Sequence, residues 1–148
     1  MRMVIATMLA TLASISIAQT ARPQVVAPPF ERMSSRDGDV HGVRGAGCVW
    51  SDRRDKGHPR DATWLMGMAD DRAVVKRDGR YVMLKPMPDA KDMGPFTFDR
   101  WTGQGMTLVI EKHGRAAQAG TAYDQPARLA LTEAGRTTTY AGTVNCGT

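Results

Sequence analysis

Few residues in this 148-residue chain carry reactive or ligating chemistry, and they fall into four groups. Cys48 precedes His58 within the stretch "GAGCVWSDRRDKGHPRD". A thiolate served by an imidazole is a nucleophile, and both groups ligate metals, but a catalytic pair needs a third residue to orient the histidine and a thiol that stays reduced. The stretch supplies neither. Asp70-Asp71 and Asp89/Asp92 are carboxylate pairs in turn-like contexts. Adjacent residues of a strand point to opposite sides, which argues against a glycosidase-like acid and base at Asp70-Asp71. Met33, Met66, Met68, Met83, Met87, Met93 and Met106 form a surplus of soft thioether sulfur suited to Cu(I). Met66-Gly67-Met68 sets two of these sulfurs on one strand face beside Trp64, although methionine also fills apolar cores. Finally, Arg53, Arg54, Lys56 and Arg60 alternate with Asp52, Asp55 and Asp61, the mixed charge of a solvated loop rather than a nucleic-acid face.

The elements that must position these groups begin after an export signal. "MRMVIATMLATLASISIAQT" opens on Arg2, runs apolar to Ile17 and closes on the small-x-small pattern Ser16-Ile17-Ala18, so residues 1–18 read as a signal peptide cleaved near Ala18. The run is shorter than the roughly 20 apolar residues that cross a bilayer, and serines and threonines interrupt it, so no stable membrane anchor is expected. The expected location is the periplasm or the secreted fraction. Residues 19–44, with Pro23, Pro28, Pro29 and several glycines, read as a flexible arm, in which Val25 to Phe30 is an apolar piece able to dock. Residues 45–148 read as a single domain. The formal net charge of +5 is a mild excess and singles out no polyanionic partner.

Export changes the reading of the cysteines. Two thiols in an oxidising compartment favour a disulfide between Cys48 and Cys146. Closing a loop of about 100 residues is worth about 4–5 kcal/mol in the chain-entropy model.

Within 45–148 the apolar pattern has period two, and turn signals recur. "RAVVKRDGRYVMLK" is the clearest hairpin: a two-residue Asp78-Gly79 loop sets Val75 opposite Val82 and Ala73 opposite Leu84, but also Arg77 opposite Arg80. A longer loop with Gly79 in a bulge would avoid that repulsion. Other strands align Cys48 with Trp50, Trp64 with Met66 and Met68, and Phe96 with Phe98. The same alternation groups Met106, Leu108 and Ile110, then Leu129 and Leu131, and finally Tyr140, Val144 and Cys146. The expected fold is all-β, an antiparallel sandwich or small barrel of about seven or eight strands closed by one disulfide.

Several resemblances follow from these residues. Gly47 to Trp50, Ala73 to Gly79 and the terminal Cys146-Gly147 together resemble small exported bacterial proteins of unassigned function, over nearly the whole mature domain. In size, export and terminal disulfide the chain is loosely similar to periplasmic C-type lysozyme inhibitors. Of that family's Ser-Gly-x-x-Tyr loop segment, "RDGRYVML" carries Gly79 and Tyr81 at a different spacing and lacks the serine. "GDVHG", Gly38 to Gly42, is similar to the first metal motif of calcineurin-like metallophosphoesterases over five residues only, without the family's later motifs. The combination of Met, His and Trp resembles small periplasmic copper-binding barrels, although His41, His58 and His113 lie at no motif spacing. The expectation is a soluble envelope protein acting as a non-catalytic binding or inhibitor-type module, with no bound cofactor and with another envelope protein as partner. A periplasmic Cu(I)-binding protein with methionine ligands is the alternative.

Overall fold

The computed structural model describes residues 26–43, 45–52, 63–94 and 97–147. The segment read as a signal peptide, His58, the basic stretch after Asp52 and Phe96 lie outside the described residues. Among the described residues one helix, α1 (Ser35–Val40), precedes eleven strands: β1 (Gly47–Asp52), β2 (Met66–Ala69), β3 (Arg72–Arg77), β4 (Arg80–Pro86), β5 (Asp92–Gly94), β6 (Thr97–Phe98), β7 (Arg100–Gly103), β8 (Met106–Lys112), β9 (Ala117–Ala119), β10 (Ala122–Glu133) and β11 (Arg136–Gly147). Strands β1, β2, β3, β4, β7, β8, β10 and β11 pair antiparallel in that order, and β11 returns to β1 to close an eight-stranded barrel. The barrel form, rather than a sandwich, follows from this last pairing, which removes both sheet edges from the ring.

Alternation selects the inner face. β8 and β11 bury every second residue over most of their length, so Met106, Leu108 and Ile110 face inward with Tyr140, Val144 and Cys146. Eight strands enclose a space just wide enough for side chains to fill. Trp50, Trp101, Met66, Met68, Leu84, Leu108 and Leu129 fill it, all at most 1% exposed. Gly142 makes room for the largest of them: a Cβ there would lie 2.4 Å from the Trp50 ring.

The β3–β4 hairpin has the two-residue loop. Ala73 pairs with Leu84, Val75 with Val82 and Arg77 with Arg80. Asp78 and Gly79 both have positive φ, 51° and 72°, as a type I′ turn requires. The Arg77–Arg80 opposition is offset from outside the hairpin, because Arg77 pairs with Glu133 at the end of β10.

Trp64 departs from the expected pattern. The period-two reading sets it on one face with Met66 and Met68, whereas the structure places it on the opposite side, in a separate cluster with Met33 and Val74. Leu65 is the cause. Its N–H donates to the Trp50 carbonyl at 3.0 Å while Met66 is already the register partner of Trp50, so two residues oppose one, as in a β-bulge. Leu65 and Met66 both enter the interior, and Trp64 lies outside against Gly67, where a Cβ would stand 2.5 Å from its ring.

Part of the segment that composition reads as a flexible arm is fastened to this outer face. Glu31 and Met33 form β-bridges with Lys76 and Trp64, and Met33 is fully buried over Val74 and Trp64. Arg32 pairs with Asp52 at 2.8 Å. Phe30, beside the Glu31–Lys76 bridge near the β3–β4 turn, joins the interior cluster. Burying an apolar side chain of this size contributes about 1.5–3 kcal/mol, enough to offset the backbone ordering of about one or two residues.

Candidate functional site

The barrel end that carries the disulfide is covered by the two-stranded β5–β6 sheet, which is separate from the barrel ladder. Cys48 and Cys146 are direct register partners on β1 and β11 and are bonded, with no free cysteine remaining. Cys48 therefore has no thiol to act as nucleophile or metal ligand. Gly94 lies over the bond: a Cβ there would stand 3.6 and 3.7 Å from the two sulfurs and 2.7 Å from the Tyr123 hydroxyl oxygen.

Side chains from the barrel wall pin this cover. Lys112 Nζ donates to the Met93 carbonyl, the Tyr123 hydroxyl donates to the same oxygen at 3.4 Å, and Lys112 Nζ stands 5.5 Å from the Tyr123 ring centre. Trp101 Nε1 donates to the Phe98 carbonyl at 2.8 Å, and the two rings meet edge to face at 6.0 Å. Met93 is 6% exposed and belongs to the barrel core.

Between this cover and the β2–β3 turn runs an open groove of about 890 Å³, lined by Asp70, Asp71, Asp92, Met93, Gly94, Thr97 and Phe98. The turn exists because Ala69 pairs with Arg72, leaving only Asp70 and Asp71 to reverse the chain. Asp70 adopts φ 51°, a left-handed conformation that aspartate tolerates better than most residues. Both carboxylates consequently project from a loop tip instead of splitting across a strand. Asp71 meets the neighbouring Arg72 Nε at 3.4 Å, and Asp92 accepts the Gly94 N–H at 3.1 Å. Met93 and Phe98 give the groove its apolar part. Thr97 is 1% exposed, and its Oγ1 has no hydrogen-bond partner among the described residues.

A second polar cluster fastens the arm. Asp37 accepts the N–H and hydroxyl of Ser34 at 2.7 and 2.8 Å and the hydroxyl of Tyr81. The Ser34 N–H, then Tyr81 and the Ser34 hydroxyl, hold the Asp37 carboxyl down to about 2, and the same bond pushes the Tyr81 phenol up. Glu31 accepts the Gly79 N–H at 2.5 Å and pairs with Lys76 at 3.2 Å; that N–H, then Lys76, lowers its carboxyl. His41 packs on Tyr81 with ring centres 4.1 Å apart. Gly79 and Tyr81, the residues shared with the lysozyme-inhibitor loop, are thus both engaged by the arm.

The remaining candidates disperse. Asp39 and His41 of "GDVHG" sit on and just after α1, and His113 lies exposed beyond β8. Among the described residues no three His, Cys, Asp or Glu side chains are grouped to hold a metal. Met66 and Met68 are interior packing at 0% and 1% exposure. Asp89 pairs with Arg100 at 3.0 Å, apart in role from Asp92. Sequence reasoning missed Thr97 and Phe98 as groove residues, and the only available signal was their place in an aromatic, strand-like stretch. No family model, curated protein or solved structure matches the chain.

Proposed function

We propose that the chain is a non-catalytic binding module, exported through its N-terminal segment, whose barrel serves as a rigid scaffold for recognising another envelope protein. The observation that carries this reading is the contrast between a barrel interior filled by tryptophan, methionine and leucine and an open groove of mixed acidic and apolar lining at one end. A filled interior leaves no room inside for a small ligand, so recognition falls to the loops and the cover. The disulfide agrees with an oxidising compartment. No helix among the described residues is long and apolar enough to cross a membrane.

The inhibitor form of this reading predicts that purified protein starting at Gln19 slows turnover by a C-type lysozyme at stoichiometric concentration. The broader form predicts saturable, one-to-one retention of a protein from envelope extract. Absence of both inhibition and saturable retention would refute the module. A hydrolytic or redox activity of the purified chain that is lost in a groove variant would replace it with an enzyme.

A further inference from the structure

We infer that residues 30–43 form an acid-released strap, which lifts from the outer face of a barrel that stays closed. Strap release is independent of the binding-module reading. The β2–β3 ladder starts at Met66 opposite Val75, and the arm pairs where that ladder does not reach. The Glu31 N–H donates to the Lys76 carbonyl at 2.8 Å, and Met33 and Trp64 exchange N–H to carbonyl bonds of 2.8 and 2.9 Å. Side chains of the segment alternate as in a strand. Glu31 and Met33 meet Lys76 and the Trp64–Val74 cluster on the outside. Phe30 joins the interior, and Arg32 reaches Asp52, which shares a β1 face with Cys48 and Trp50. Helix α1 then lays the buried Gly38 against the Trp64 ring, where a Cβ would lie 3.1 Å away.

Two features make the strap separable from the barrel. The eight-stranded ring closes through the β1–β11 pairing and the Cys48–Cys146 bond, neither of which uses the strap. Three of the strap's ties to the wall contain a carboxylate: Glu31 with the Gly79 N–H and Lys76, Arg32 with Asp52, and Asp37 with the Tyr81 hydroxyl. A carboxylate that gains a proton loses its charge, so these ties weaken together in acid while the apolar barrel core does not. Tyr81 and Lys76 of the β3–β4 hairpin face Asp37, with Arg36 and Asp39 on α1 itself; His41 packs on the Tyr81 ring, and Arg72 of β3 stands beside Gly42. The Ser34 N–H and Tyr81 favour the ionised Asp37, and the Gly79 N–H and Lys76 favour the ionised Glu31, so falling pH favours release. The entropy of ordering the segment opposes docking throughout. Release uncovers Trp64, Val74 and Tyr81, an aromatic and apolar face that neutral pH keeps under Met33.

The test is amide hydrogen exchange of the purified protein starting at Gln19, followed by NMR at pH 5 and pH 3, with each rate divided by that residue's intrinsic rate at the same pH. Protection of the Glu31, Met33 and Trp64 amides is expected to fall roughly tenfold from pH 5 to pH 3, the size that linkage assigns to the Asp37 and Glu31 carboxylates together. Amides of β8, β10 and β11 should keep their protection. In the Glu31→Gln, Asp37→Asn double variant, whose barrel amides report that it is folded, strap protection should start lower than in the parent and change less than about twofold. An equal fall in strap and barrel amides would show loosening of the whole domain and overturn the strap. Unchanged strap protection in the parent, or the parent's full fall retained in the double variant, would overturn it as well.

Discussion

Gly142 and Trp50 illustrate how one residue without a side chain sets the barrel's packing. The Trp50 ring is fully buried and passes where a Gly142 Cβ would stand, 2.4 Å away, with the Ser51 carbonyl at 2.2 Å on the same side. Neither the backbone of β1 nor a ring packed on all sides can withdraw. Gly142→Ala is therefore expected to destabilise the fold by about 3 kcal/mol, the upper range for overpacking a core, measurable as a lower urea midpoint at unchanged slope. The methionines behave differently at the same scale. Met66 and Met68 are flexible fillers of an irregular interior, so Met66→Leu should cost less than about 1.5 kcal/mol, whereas Met66→Ala should cost about 2–5 kcal/mol through the cavity it leaves.

Among the elements, the arm with α1 is the one most sensitive to pH. Asp37 has an ordinary carboxyl value of 3.8 and is held at about 2 when docked. A folded value below the unfolded one contributes stability that is complete above about pH 4 and is lost as pH falls toward 2. Glu31, lowered by the Gly79 N–H and Lys76, acts with the same sign. The Trp64 indole resonance, which reports the Met33 slot, should therefore change progressively between about pH 4 and 2. Asp37→Asn should lack most of that change, and an identical titration in the variant would remove Asp37 as its cause. The hairpins make a separate point. Asp78-Gly79 and Ala134-Gly135 both form two-residue turns with positive φ at both positions, yet Ala134, at φ 46°, lacks aspartate's tolerance of that region. Ala134→Gly should raise stability by about 0.5–1 kcal/mol in a denaturant titration, while Gly135→Ala should lower it.

At the scale of the molecule, closure depends on the first and last barrel strands. β11 pairs with β1 over six residues, and the Cys48–Cys146 bond lies within that pairing. The sulfurs belong to residues 2% and 0% exposed, beneath Gly94 and the cover pinned by Lys112 and Tyr123. Reductant reaches them only after the cover or the barrel opens. Dithiothreitol should accordingly reduce the native bond at a rate set by unfolding and independent of reductant concentration once that is high, as followed by alkylation and intact mass. The Cys48→Ser, Cys146→Ser double variant should lose about 4–5 kcal/mol, the loop-closure estimate for this separation. Rapid reduction of the folded protein, proportional to dithiothreitol, would show that the cover does not seal the bond.

The sequence alone determined the all-β class, the β3–β4 hairpin at Asp78-Gly79, the inward faces of β8, β10 and β11, and the cysteine pairing, whereas the choice of the two-residue register over a bulged loop came from the structure. These are readable because a strand's period of two and an Asp-Gly turn are local, and because two cysteines leave one pairing. The side taken by Trp64 was decided only in three dimensions, since the bulge at Leu65 that turns it outward leaves no mark in the alternation. So was the docking of the arm beyond Phe30: the sequence marks Val25 to Phe30 as a piece able to dock but gives no hint of the slot between Val74 and Trp64 that receives Met33. The groove belongs to the same class. Asp70 and Asp71 come from one turn, and Asp92, Thr97 and Phe98 from a cover laid across the barrel end, so no spacing in the chain could bring them together. Their shared surface exists because β11 returns to β1 and leaves that end to be closed by separate strands.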